Sequence, residues 1–206
     1  MTKKQKTQRI IKKLRKLIPE PKIALEYSNP WELFVAVVLS AQTTDKKVNE
    51  VTKIIFKKYP KLADYVKTNP KSFAEDIKQI GLYRGKAKNI ISSAKIIDQN
   101  YDGKIPDNME DLINLPGVGR KTANILLSNI YDKQVGIAVD THVRRLTRLL
   151  GLTKQIDPEK IERDLLEIIP RKDWKDFSHL LITYGRVYCK ASCKHTDCPF
   201  GNYIPS

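Results

Sequence analysis

From Ile10 to Val187 the apolar residues recur at intervals of three and four, in stretches interrupted by proline or glycine, and no stretch alternates with period two. A chain patterned this way must bury helix stripes against helix stripes, so the predicted fold class is all-α, with roughly ten helices. The first stripe is Ile10, Ile11, Leu14, Leu17 and Ile18; Lys12, Lys13, Arg15 and Lys16 lie around the other side, and Pro19 and Pro21 end the helix. Asn29-Pro30 opens a second helix, with a capping residue followed by a proline suited to the first turn. Trp31, Phe34, Val35, Val38 and Leu39 make that helix apolar on most sides, which places it in a core. Further amphipathic pieces cover 48–56, 72–77, 86–97, 109–115, 120–130, 142–150, 158–169 and 174–187. At 41% apolar residues, the 206-residue chain can bury a core in one domain or two small ones without disulfides.

The formal charge is +15, from 38 basic and 23 acidic residues, and the excess runs the whole length of the chain. Such a chain repels itself, so its expected partner is a polyanion. A nucleic acid fits this distribution better than an anionic membrane, which would call for one juxtamembrane block; charge alone does not separate DNA from RNA. No apolar stretch approaches the roughly 20 residues that cross a bilayer, and Met1-Thr2-Lys3-Lys4 does not open a signal peptide. A cytoplasmic protein with no membrane association is therefore expected.

The most specific segment is Leu112-Ile113-Asn114-Leu115-Pro116-Gly117-Val118-Gly119-Arg120-Lys121-Thr122-Ala123. One helix ends in a tight Pro-Gly-Val-Gly turn, where two glycines allow backbone angles closed to other residues, and a second helix opens at Arg120. Amides of such a turn, added to the positive end of the second helix, form a cradle for an anion such as a phosphate. Arg120 adds attraction that ignores sequence.

With these residues the chain resembles the helix-hairpin-helix DNA glycosylase superfamily, and within it the endonuclease III family. Four further blocks are similar to the family and stand in its order: Asn29-Pro30-Trp31-Glu32-Leu33, Leu39-Ser40-Ala41-Gln42-Thr43-Thr44-Asp45, Ile80-Gly81-Leu82-Tyr83 and Val139-Asp140-Thr141-His142-Val143. The resemblance spans nearly the whole chain. It implies two helical lobes with a DNA-binding cleft between them. One is a six-helix barrel over 22–132 carrying the hairpin at 115–119; the other joins 1–21 to 133–206.

The resemblance also assigns roles. Lys121 corresponds to the lysine that forms a Schiff base with the sugar; a partly desolvated place near the positive end of a helix disfavours an ammonium, as an amine nucleophile requires. Asp140, nineteen residues later, corresponds to the aspartate that stabilises the cationic sugar and shuttles protons, and it also stands where an N-cap belongs. A base must leave the stack before it can be cut out, and Gln42 and Leu82 match the residues that enter the vacated space. Gly117, Val118, Gly119, Arg120 and His142 are the remaining expected DNA contacts, although His142 reads equally as a structural helix residue. The implied partner is damaged double-stranded DNA, bound by a monomer, and no cofactor is required for the chemistry.

The three cysteines, Cys189, Cys193 and Cys198, all fall in the last eighteen residues. Family members commonly end in C-x6-C-x2-C-x5-C around a 4Fe-4S cluster. This chain has the lead-in Tyr184-Gly185-Arg186 and the first cysteine, then continues as C-x3-C-x4-C. If Cys198, followed by Pro199, matches the third ligand, the fourth falls at Ile204. The cluster is expected to be absent. Either Cys189, Cys193, His195 and Cys198 form an atypical metal site, or the degenerate loop 189–198 is held by packing of Tyr188, Phe200 and Tyr203. The second reading is preferred, because only eight residues follow Cys198.

Two other functions fit part of this pattern. A non-enzymatic helix-hairpin-helix module that binds nucleic acid needs the turn but has no use for Lys121 with Asp140. A mismatch-specific thymine or adenine glycosylase shares the fold and the aspartate, but lysine at 121 points to the lyase branch.

Overall fold

The structure, a computed structural model, describes residues 2–195 and 198–203. The chain divides into two compact units, one formed by residues 24–133 and the other by 1–23 with 134–206. All regular structure among the described residues is helical, so the fold class is all-α.

The unit of residues 24–133 is built on α2 (Pro30–Ser40). Asn29 Oδ1 accepts from Glu32 N at 3.0 Å, and every residue from Trp31 to Leu39 is buried, as expected of a helix apolar on most sides. Around it stand α3 (Asp45–Lys58), α4 (Leu62–Lys67), α5 (Pro70–Asp76), α6 (Tyr83–Asn100), α7 (Met109–Ile113) and α8 (Arg120–Ile130). Helices α3, α6 and α8 pack on α2, while α4 and α5 pack on α6. The six-residue α4 is missing from the periodicity reading, because it buries a single residue, Tyr65. That ring joins a cluster with Trp31 (centroids 5.1 Å apart), Tyr59 (5.3 Å) and Phe73 (5.4 Å). Tertiary aromatic packing, not local pattern, holds this helix.

The other unit joins α1 (Lys3–Leu17) to α9 (Thr141–Leu149), α10 (Pro158–Ile168), a 3-10 turn over Arg171–Asp173, and α11 (Trp174–Val187). Ile10, Leu14, Val143, Leu146, Ile161, Leu165, Phe177 and Leu180 are all at 0% exposure in one core. The basic face of α1 is partly committed within this unit. Lys13 donates to Pro199 O and lies 5.1 Å from the Phe200 ring centroid, Lys6 Nζ donates to Tyr203 O at 3.3 Å, and Arg15 pairs with Asp173 at 2.9 Å. These lysines fasten the C-terminal turn.

Candidate functional site

The turn between α7 and α8 is set by Gly117. Its φ is +82°, in the left-handed region, and a Cβ added there would lie 2.9 Å from Asn89 Nδ2 and 3.0 Å from Asn89 Cβ on α6. Ser93 Oγ, one turn along α6, donates to Pro116 O at 3.0 Å and pins the turn to the same helix. Val118 is buried, and its amide donates to Leu115 O at 3.1 Å, so its side chain anchors the turn. Gly119 is the N-cap of α8 with φ −95° and ψ 175°, and a Cβ there would meet nothing within 4 Å. The expectation that both glycines need special backbone angles is thus corrected: only Gly117 does, because Gly119 has extended backbone open to any residue. Gly119 has no side chain, so the N-cap itself supplies no side-chain bond to the first α8 amides.

This separates the two glycines experimentally. Gly117→Ala combines a left-handed backbone with a collision and is expected to cost about 1–3 kcal/mol. Gly119→Ala should cost no more than about 1 kcal/mol. Denaturant unfolding of the two variants checks the order; equal losses would contradict the geometry.

Lys121 occupies the first turn of α8 and is solvent-exposed, as is Arg120. The partial desolvation expected of the lysine is therefore not supplied by its surroundings in the protein.

Asp140 belongs to the other unit and is half-buried at the N-cap of α9. Its Oδ1 accepts from Val143 N at 2.8 Å. The extended segment leading to it is fixed twice: buried Glu162 accepts from Ile137 N at 3.0 Å, and Ser178 Oγ donates to Ala138 O at 3.0 Å. His142, in the first turn of α9, packs against α11, where a Cβ at Gly185 would lie 2.6 Å from His142 Nδ1. The imidazole thus has a packing function, and it also lines a groove with Thr141, Arg144, Arg148 and His195.

Gln42 and Leu82 are both exposed, Leu82 at 65%, and both hold left-handed backbone, with φ of 54° and 58°. Such a conformation costs a non-glycine residue roughly 1–2 kcal/mol, so the surrounding structure must impose it. At Gln42 the residue that holds the chain, and that sequence reasoning missed, is Lys86. Only 6% exposed, it donates from Nζ to Leu39 O at 2.8 Å, to Ala41 O, and to Thr43 Oγ1 at 3.1 Å. Burial pushes this ammonium below its ordinary value, while three acceptors satisfy its three donors. It clasps the end of α2 on both sides of Gln42. The chain around Gly81 closes on the same place, since a Cβ there would come 3.4 Å from Gln42 O. A clue lay in the register: Lys86 occupies the face of α6 that buries Ala87, Ile90, Ile91 and Ala94, where a lysine needs a reason.

In the C-terminal loop, Cys189 and Cys198 are buried, and Cys193 and His195 are half-buried. Their ligating atoms all lie within 4.8 Å of one another. Phe200 is buried and packs edge-on against Tyr184 at 5.0 Å, so aromatic packing of the loop is present beside the convergence of donors. Ile204 lies outside the described residues.

Helices alone among the described residues, with α8 opening directly behind a Pro-Gly-Val-Gly hairpin, place the chain in the helix-hairpin-helix class. Residues 35–171 match the family model of HhH-GPD superfamily base excision DNA repair proteins. The chain is 44% identical over 190 residues to endonuclease III of Synechocystis sp., covering 92% of this chain and 87% of that protein. The solved structure of a non-covalent endonuclease III–DNA complex superposes with a TM-score of 0.93 at 39% identity, over 99% of this chain and 96% of that one. A trapped endonuclease III–DNA covalent intermediate superposes with a TM-score of 0.89 at 40% identity, covering 98% of both chains. The chain belongs to the endonuclease III family of the HhH-GPD superfamily. Among the described residues no helix is long and apolar enough to cross a membrane.

Proposed function

We propose that this protein is a bifunctional DNA glycosylase and AP lyase of base excision repair that removes oxidised pyrimidines from duplex DNA. The observation that carries the reading is Lys121, an exposed amine in the first turn of α8 directly behind the hairpin. A relative at 40% identity has been trapped as a covalent intermediate with DNA, and such a bond needs a nucleophile of this kind. A DNA substrate puts the place of work inside the cell.

The hairpin amides and Arg120 bind the phosphate backbone, and Gln42 and Leu82 enter the space left when the damaged nucleotide turns out of the stack. DNA that covers Lys121 excludes water from it, and so favours the neutral amine that the attack requires. Its Nζ lone pair forms a bond to C1′ as the glycosidic bond breaks. The base leaves with the electron pair of the glycosidic bond and takes up a proton. Asp140 stabilises the positive charge on the sugar and relays the amine proton. Ring opening gives an imine, which acidifies the C2′ proton; its removal makes the C1′–C2′–C3′ system conjugated and expels the 3′ phosphate, nicking the strand.

Incubation with an abasic-site duplex and borohydride tests this directly, since reduction of the imine leaves protein and DNA joined. A protein that binds the duplex but is never trapped would be a non-enzymatic helix-hairpin-helix module. Leu82→Ala and Gln42→Ala probe the insertion step separately. Both side chains are exposed, so stability should stay within about 0.5 kcal/mol. Excision from duplex DNA should fall about tenfold or more, while cleavage of an abasic site in single-stranded DNA, which has no stack to hold open, should change little.

A further inference from the structure

Family members commonly hold a 4Fe-4S cluster at the C-terminal loop, and the donors in this chain do not fit one. In a cubane each thiolate binds a different iron, which spreads the outer sulfurs to roughly 6 Å apart. Here Cys189 Sγ, Cys193 Sγ, His195 Nδ1 or Nε2 and Cys198 Sγ all lie within 4.8 Å of one another. One tetrahedral ion, with bonds of about 2.3 Å to sulfur and 2.0–2.1 Å to nitrogen, requires donor separations of roughly 3.5–3.8 Å. The gap between Cys189 Sγ and His195 Nδ1 is already 3.6 Å. Closing on an ion therefore takes at most about an ångström at the widest pair, whereas a cubane would force every pair apart.

We propose that Cys189, Cys193, His195 and Cys198 form a four-coordinate site for a single zinc ion, in place of the iron-sulfur cluster. The spacing supports it. His195 stands three residues before Cys198, as the family's second cysteine stands before its third, and Cys193 makes up the count of four donors. His195 holds φ +66°, an unfavourable backbone for a β-carbon-bearing residue, and in that conformation its ring faces Cys189 Sγ while its amide donates to Cys193 Sγ at 3.4 Å.

The groups around the sulfurs are those a thiolate site requires. Tyr184 OH lies 2.6 Å from Cys198 Sγ, and Arg145 reaches Cys189 Sγ at 3.6 Å while its guanidinium also donates to Cys189 O. Three thiolates and a dication carry one net negative charge, and Arg145 balances it. Through Arg145 on α9, the ion fixes the loop to the helix that Asp140 caps.

The site does no bond-breaking, so its test is independent of the glycosylase reading. Protein purified under reducing conditions should contain about one zinc per chain, no iron and no acid-labile sulfide. Cobalt(II) added to metal-stripped protein should give the intense absorption of a tetrahedral thiolate complex, displaced by zinc. Cys193→Ser and His195→Ala alter half-buried loop positions outside the core; each should lower zinc content several-fold and weaken the cobalt spectrum. Chelation should lower the Tm of the wild type and leave that of Cys193→Ser nearly unchanged. Stoichiometric iron with sulfide would overturn the proposal, and so would thiols that bind neither cobalt nor zinc when fully reduced, or that pair as a disulfide in the purified protein.

Discussion

Replacing Lys121 with glutamine is expected to abolish borohydride trapping and to lower nicking at abasic sites by at least about 10³-fold, because an amide nitrogen has no available lone pair for C1′. The side chain is exposed at the start of α8, so thermal unfolding should be unchanged. Glutamine also removes one positive charge, which weakens DNA binding at low salt. Lys121→Arg separates the two effects: guanidinium keeps the charge and stays protonated, so it cannot attack. The arginine variant should bind abasic duplex as the wild type does, measured at matched ionic strength, and fail to be trapped. Trapping by either variant would mean that another amine carries the bond.

The readable parts of the sequence were those where one residue type has one physical use. The apolar stripes of α1, α2, α9, α10 and α11 have no function except burial, and they gave the all-α class and most of the helices. The hairpin was legible because Pro116 and Gly117 punctuate it, and Gly117 does hold the left-handed backbone that a second helix so close behind the first demands. Gly119 is the counterexample. The same residue type sits there with ordinary backbone, and sequence cannot tell a glycine that is conformationally required from one that caps α8 without a side chain.

Lys86 shows the opposite limit. Lysine is so commonly solvated that its position on the buried stripe of α6 is a weak signal, although it holds the Leu39 and Ala41 carbonyls before Gln42 and the Thr43 hydroxyl after it. Its partners lie more than forty residues away, and no local pattern encodes them. The cysteine loop was legible as composition only. Three thiols and a histidine within ten residues suggest a metal, but whether their donors converge depends on α9 and α11, which place Arg145 and Tyr184 against the sulfurs.

Asp140 combines a structural and a chemical task in one carboxylate, and two substitutions pull them apart. The N-cap bond from Val143 uses Oδ1, and asparagine offers an equivalent oxygen there, so Asp140→Asn should keep α9 intact and hold stability within about 0.5 kcal/mol. The negative charge is lost. Without it the sugar cation has no counter-charge and the amine proton has no acceptor, so turnover on damaged duplex should fall about 10²–10⁴-fold while the variant still binds that duplex. Asp140→Ala removes the cap as well, leaves the Val143 amide without its partner, and should lower stability by about 1 kcal/mol on top of a similar catalytic loss. Single-turnover excision and thermal unfolding of the pair resolve the two roles. Should Asp140→Asn excise bases at the wild-type rate, the residue is a helix cap and nothing more, and the charge that meets the sugar must come from elsewhere in the protein.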